Sequence, residues 1–144
     1  MVLFSKDRIL VPTDFSEKSL QAVKEAIAFA DDISSIHVLY VLKPLEATEP
    51  GVVWESVNTD KRKANIQKLF DETFPSSEYQ GLNFAIESGD PAAGIIDYAE
   101  QQEMDLVVMP SRGRSGISRF FMGSIAEKVV RFAHCPVLVL KQKQ

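Results

Sequence analysis

The feature that most restricts the fold of this chain is a strict alternation. Five short apolar runs, each bounded by turn chemistry, are separated by four stretches with helical periodicity. Arg8–Val11, RILV, is ended by Pro12 and reads as a buried strand. Ser35–Leu42, SIHVLYVL, is rich in β-branched and aromatic residues and reads as the second. Gly81–Glu87 alternates Leu82, Phe84 and Ile86 with Asn83, Ala85 and Glu87, the pattern of a half-buried strand at a sheet edge. Asp105–Met109 and Pro136–Lys141 supply the fourth and fifth strands. The helical stretches have equally plain signals. Ser16 caps a helix running from Glu17 to about Asp31, with Leu20, Val23, Ile27 and Ala30 on one face. Asp60–Phe74 follows with Ile66, Leu69 and Phe70, and Pro75 comes just after it. Asp90 as N-cap and Pro91 at the first helical position open a third helix, which reaches about Glu103. Gly123–Ala133 is the fourth. Lys43–Thr59 remains the longest irregular stretch, with Pro44, Pro50, Gly51 and the single tryptophan, Trp54; a loop of that length is often functional or mobile.

Strands alternating with helices predict an α/β fold: a Rossmann-like open five-stranded parallel sheet, order 3-2-1-4-5, with helices on both faces. The 144 residues suit one domain, and no internal repeat or second domain is visible. Ligands in such sheets sit beyond the carboxyl ends of the strands, where the strand order reverses. That point brings Pro12-Thr13-Asp14, after the first strand, beside the stretch that follows the fourth.

Charge and composition exclude some partners. A net charge of −4 argues against general binding to nucleic acid or a membrane surface, although a local basic cluster can still hold a small anion. A single cysteine, Cys135, allows no internal disulfide and suits a reducing compartment. No apolar run approaches the ~18 residues of a membrane span. The N-terminal MVLFSKDRILVPTD lacks a signal-peptide layout, so a cytoplasmic protein is expected.

The segment Leu106–Ser124, LVVMPSRGRSGISRFFMGS, carries most of the chemistry. It runs from a buried strand through a loop with Gly113 and Gly116 to Gly123-Ser124 at a helix start, a layout that suits an anion. A second reading competes: Ser124 with Glu127 three residues on forms a capping box. Arg112, Arg114 and Arg119 put three guanidinium groups into this loop with no acid among them, which fits either phosphate or a solvated surface. Asp14 is placed to accept from a ribose hydroxyl or an adenine amino group, or else to make an Asx-turn. His37, His134 and Cys135 form no recognisable catalytic or metal-binding spacing, and a GxxxxGK[ST] loop is absent. No catalytic residue and no metal ligand is assigned.

These pieces together resemble the universal stress protein family over nearly the whole chain. The matching segments are RILVPTDFSEKSLQAV, ESGDPAAGIIDYAEQQEMDLVVM and SRGRSGISRFFMGSIAEKVVRFAHCPVLVLK. The resemblance implies cytoplasmic dimers that pair through the last strand, here Pro136–Lys141. It also implies, for one branch of the family, ATP binding through a motif of Gly, two residues, Gly, nine residues, then Gly and Ser or Thr. The second glycine matches Gly113 and the closing pair matches Gly123-Ser124, but Pro110 stands at the first glycine. On this resemblance the adenine nucleotide, with or without Mg, is expected to meet Pro12, Asp14, Val41, Met109, Arg112, Gly113, Arg114, Gly123, Ser124 and Ile125. A second branch, marked by altered motif glycines, implies a dimer that binds no nucleotide and acts through protein–protein contacts. A slow ATPase is the third reading, although no general base is apparent.

Overall fold

The computed structural model describes residues 5–44, 55–111 and 122–141. Its element order is β1 (Ile9–Pro12), α1 (Glu17–Phe29), a 3₁₀ turn (Ile33–Ser35), β2 (Ile36–Leu42), α2 (Glu55–Thr73), α3 (Ser76–Tyr79), β3 (Asn83–Ser88), α4 (Pro91–Gln101), β4 (Leu106–Pro110), α5 (Ser124–Phe132) and β5 (Val137–Leu140). The five strands form one parallel sheet in the order β3-β2-β1-β4-β5, as the alternation predicts.

Side chains of successive strand residues point to opposite faces, and the core divides accordingly. Ile9 and Val11 of β1, Val38 of β2 and Val108 of β4 pack with Ala22, Val23 and Ala26 of α1 and Phe70 of α2. Leu10, Leu39, Val107 and Met109 pack on the other face with Ile95 and Ala99 of α4 and Ala126 and Val129 of α5. The central strand β1 is wholly buried. Fully burying one such aliphatic side chain contributes about 1.5–3 kcal/mol, so the sheet centre is the most strongly held part of the molecule. The edge strand β3 is half-buried and joins the core through Phe84, whose ring stacks on Phe70 at 4.1 Å with a 5° interplanar angle.

Several boundaries differ from the sequence reading. The helix expected from Asp60 begins at Glu55, so residues 55–59 leave the irregular stretch; ESVNT contains no glycine or proline, and its polar composition hid the start. Residues 45–54, with Trp54, lie outside the described residues. The 3₁₀ turn at Ile33–Ser35 and the four-residue α3 carry no periodic signal; the former is held by Asp32, whose carboxylate accepts the Ser34 N–H at 2.9 Å. The first helix ends at Phe29 rather than near Asp31, and the α4 helix at Gln101 rather than near Glu103. Asp90 caps α4 as expected, accepting the Ala93 N–H at 3.0 Å. Pro12 and Pro110, read as loop residues, are the last residues of β1 and β4.

Candidate functional site

The carboxyl ends of β1, β2 and β4 lie side by side at the reversal of strand order. At the end of β1 the chain enters a hydroxyl cluster. The Ser16 N–H donates to Asp14 Oδ1 at 2.9 Å, which makes the Asx-turn that the sequence left open. The Ser19 hydroxyl donates to the same oxygen at 2.9 Å and lies 2.9 Å from the Thr13 hydroxyl. Thr13 Oγ1 in turn accepts the Phe15 N–H at 3.0 Å. Ser19 and Thr13 are buried polar residues, at 3% and 7% exposure. Between Asp14 and Ser16, Phe15 has φ of 61°, a left-handed conformation that is rare for an aromatic residue. Its ring rests against Tyr40 and Phe84, with centroids 5.6 Å and 6.3 Å away. Such strain persists only where the surroundings hold it, and it concentrates at functional sites.

The seam between β1 and β4 ends early, and two prolines are the reason. Cα pairing runs only through Ile9↔Leu106 and Leu10↔Val107. The Thr13 N–H donates to the Leu39 carbonyl, so the main chain of residues 11 and 13 faces β2, and that of Leu10 and Pro12 faces β4. The Val107 N–H donates to the Pro136 carbonyl and the Ser111 N–H to the Leu140 carbonyl, so the main chain of Val108 and Pro110 faces β1. The next rung would take the N–H of residue 12 to the Val108 carbonyl and the N–H of residue 110 to the Pro12 carbonyl. Proline has no N–H, so neither bond forms. The crevice therefore opens between the strands with two carbonyl acceptors, of Pro12 and Val108, on its walls. Pro110 withdraws no ladder bond from β5, because its main chain faces the other way. Val41 of β2 turns its main chain to the same region. The Leu42 carbonyl accepts the Gly89 N–H on the β3 side, so Val41 faces the β1 side, level with the point where β1 has ended.

At the far side of the crevice stands the start of α5. The Gly123 N–H donates to the Ser111 carbonyl at 2.8 Å, which ties the helix start to the end of β4. Gly123 occupies the cap position with φ −64° and ψ 157°, and no side chain caps the helix. The capping box that competed with the anion reading of Ser124 and Glu127 is therefore absent. Ser124 is the first helical residue, and Glu127 instead accepts from Arg131 Nη2 at 3.0 Å, four residues on. The first helical bond runs from the Glu127 N–H to the Gly123 carbonyl at 2.9 Å. The N–H groups of Ser124, Ile125 and Ala126 precede it and have no partner within the helix. The start of α5, with its N–H donors and the positive end of the helix dipole, is thus tied to the end of β4, and the Pro12 and Val108 carbonyls lie on the two strand walls.

Of the residues expected at the site, the structure brings Pro12, Asp14, Val41, Met109, Gly123, Ser124 and Ile125 to this end of the sheet. Met109 is buried and packs toward α4 and α5. Arg112, Gly113, Arg114 and Arg119 lie outside the described residues. Sequence reasoning missed Thr13 and Ser19, although Ser16-x-x-Ser19 after an aspartate was a visible cue to clustered hydroxyls. It also missed Gly94 of α4. A Cβ there would stand 2.9 Å and 3.0 Å from the Val41 methyl groups, so the missing side chain lets the helix sit on β2. A cleft of about 410 Å³ opens on the β3 side of β2, among Leu42, Lys43, Arg62 and Ser88. It holds neither Asp14 nor the α5 start.

The remaining titratable candidates sit apart from the crevice. His37 is the second residue of β2, and burial together with the nearby Arg8 cation lowers its pKa. Arg8 itself donates to the Gln102 carbonyl at the end of α4 at 3.0 Å. Burial and the Asp105 carboxylate raise the Cys135 thiol, the opposite of an activated nucleophile.

Residues 6–141 match the universal stress protein family. Universal stress protein MJ0531 of Methanocaldococcus jannaschii is 34% identical over 140 residues, covering 94% of this chain and 82% of that protein. MJ0577 of the same organism has a solved structure that aligns with a TM-score of 0.78 at 27% identity, covering 96% of this chain and 98% of that one. Universal stress protein UspA from Lactobacillus plantarum aligns with a TM-score of 0.76 at 27% identity, over 94% and 97% of the two chains. A universal stress protein solved in complex with cAMP shares the fold with a TM-score of 0.60 at 19% identity. With the parallel sheet in the order β3-β2-β1-β4-β5 and a match over nearly its whole length, the chain belongs to the universal stress protein family.

Proposed function

We propose that this protein is a stress-response regulator that binds ATP or a related adenine nucleotide in the crevice between β1 and β4. The observation that carries the reading is the polarity of the crevice. Its β1 side presents the Asp14 carboxylate and the Pro12 carbonyl, and its β4 wall the Val108 carbonyl, acceptors suited to ribose hydroxyls and the adenine amino group. Its α5 side presents helix N–H groups that have no partner within the helix, and the Ser124 hydroxyl, donors suited to phosphate. Loss of the capping role for Ser124 removes the main structural explanation for a serine at that position. Pro110 bears on this reading less than its sequence position suggests, since its main chain faces β1 rather than the helix start. The test is mass spectrometry of small molecules released from the purified protein, with calorimetric titration by ATP in the presence and absence of Mg. Titration with cAMP separates a cyclic from a triphosphate ligand. Absence of co-purified nucleotide, with no heat at ~100 μM of either ligand, a concentration well above a micromolar Kd, sinks the proposal.

A second reading rests on the Asx-turn. The Asp14 carboxylate already serves Ser16 and Ser19, so the same cluster is consistent with a protein that acts only through contacts with others. Under either reading β5 is the pairing surface for a homodimer. It is the outer strand of the sheet, Val137, Val139 and Leu140 are half-buried, and Leu138 is exposed. An apolar edge strand with open main-chain groups invites a second strand. Exposed Ile125 and Phe132 on α5, the helix that packs on β5, extend the apolar surface.

A further inference from the structure

We propose that the cleft between α2 and the ends of β2 and β3 is a second ligand site, one that takes a small zwitterion: a phosphate or carboxylate group joined to an ammonium group. The cleft stands apart from the crevice. Leu42 and Ser88, which line it, are the register pair that ends the β2–β3 ladder, whereas the crevice lies between β1 and β4. Its volume of about 410 Å³ falls within the range of small-molecule pockets, about 300–1,000 Å³. α2 contributes Thr59, Asp60 and Arg62 to the lining, and Lys43, the residue just after β2, completes it.

Two cations meet at this cleft. Arg62 Nη2 donates to the Lys43 carbonyl at 2.8 Å, which holds the guanidinium beside the residue that bears the second charge. A guanidinium has five N–H donors in a planar fork, and this bond occupies one. The ion pairs among the described residues, Lys6–Asp31 and Arg131–Glu127, include neither Lys43 nor Arg62. Like charges gathered at one cleft repel, and an anion between them offsets the repulsion. Lys61 and Lys63 flank Arg62 along α2 and raise the local positive potential, in a chain whose net charge is −4. Asp60 limits what can enter. Its carboxylate lines the same cleft and pairs with neither cation, so it disfavours a polyanion such as a triphosphate and is placed to accept from an ammonium group. Two cations and one acid are the complement of a small zwitterion, and Thr59 and Ser88 add hydroxyls. A structural tie between α2 and β2 explains the bond from Arg62 to the carbonyl. It does not explain a second cation and a carboxylate around the same space.

The experiment is amide NMR of the full, isotopically labelled chain, titrated at constant ionic strength with O-phosphoethanolamine and with β-alanine. Inorganic phosphate serves as the probe that lacks the ammonium group. The expected result is saturable shifts at Lys43, Ser88 and Gly89 with at least one zwitterion, at a Kd of about 1 mM or tighter. Lys43→Ala and Arg62→Ala should each weaken that binding roughly two- to fivefold, the scale of one exposed charge pair, and Arg62→Lys should weaken it less. Asp60→Asn should remove the preference for the zwitterion over inorganic phosphate. Ser124→Asp, at the crevice, should change none of this. Thermal unfolding monitors the fold of each variant, and Lys43→Ala, which removes no main-chain bond, keeps the test valid if Arg62→Ala fails to fold. Absence of saturable shifts at ~10 mM, well above a millimolar Kd, overturns the proposal. So do shifts confined to the start of α5, or an affinity that neither Lys43→Ala nor Asp60→Asn alters. Each of these failures leaves the ATP reading standing, because that reading is tested at the crevice.

Discussion

At the scale of single residues, Pro110 and Ser124 bear most directly on what this chain binds. Pro110 looks on sequence like a lost phosphate donor, yet the ladder directs its missing N–H to β1. Pro110→Ala should therefore complete half a rung to the Pro12 carbonyl. The new amide is expected to exchange slowly in hydrogen–deuterium exchange, and stability to change by no more than about 1 kcal/mol, the net worth of one such bond. Fast exchange at residue 110 contradicts the assigned main-chain direction. Ser124 separates the two functional readings. As the first helical residue with no capping bond, it tolerates aspartate structurally, since a negative charge in the first turn favours the helix. Ser124→Asp is expected to leave the thermal midpoint unchanged or slightly raised, while ATP affinity falls at least tenfold through repulsion of phosphate. Unaltered affinity in calorimetry places the phosphates elsewhere.

At the scale of elements, the seat of α4 on β2 supports a sharp test. Glycine to alanine inside a helix ordinarily stabilises by roughly 0.5–1 kcal/mol. Gly94→Ala should instead destabilise by about 1–3 kcal/mol, because the new Cβ meets the stiff branched side chain of Val41 at 2.9 Å. Chemical denaturation reads the sign directly, and a stabilised variant refutes the close approach. The same displacement moves the strand whose main chain faces the crevice, so nucleotide affinity is expected to fall as well. This contact shows why the sequence carried the fold further than the site. Strand order, helix faces and the Asp90 cap follow from local periodicity and turn chemistry, each contained within a dozen residues. The Gly94–Val41 contact, the inward turn of Ser19 and the opposition of Pro12 and Pro110 depend on which elements become neighbours and in what register. No local pattern encodes that. The capping box failed for a related reason: Ser124 and Glu127 have the right spacing, but the tie from Gly123 to Ser111 shifts the helix start by one residue.

At the scale of the whole molecule, the β5 edge and the half-buried His37 support tests of assembly and pH response. Sedimentation equilibrium is expected to show a dimer at micromolar concentration, and Leu138→Lys to shift it toward monomer by placing a charge on the open edge. A protein that is monomeric before any substitution rules out pairing through β5. His37 has a folded pKa below its ordinary value of 6.5, chiefly from burial and secondarily from Arg8. Above pH 6.5 it is neutral in both states and contributes nothing. As pH falls below that value the unfolded chain takes up the proton more readily, so stability declines until the folded pKa is passed. The fall in urea midpoint from pH 7.5 to 5.5 should therefore be smaller in His37→Asn than in the unaltered protein. The paired prolines have a consequence for how fast a ligand can enter. In a sheet whose central seam is fully zipped, a molecule that wedges between two strands must first wait for local opening. Here the last two teeth of that zipper were never made, so entry between β1 and β4 requires no ladder bond between those two strands to break, and the association rate should not wait on their parting.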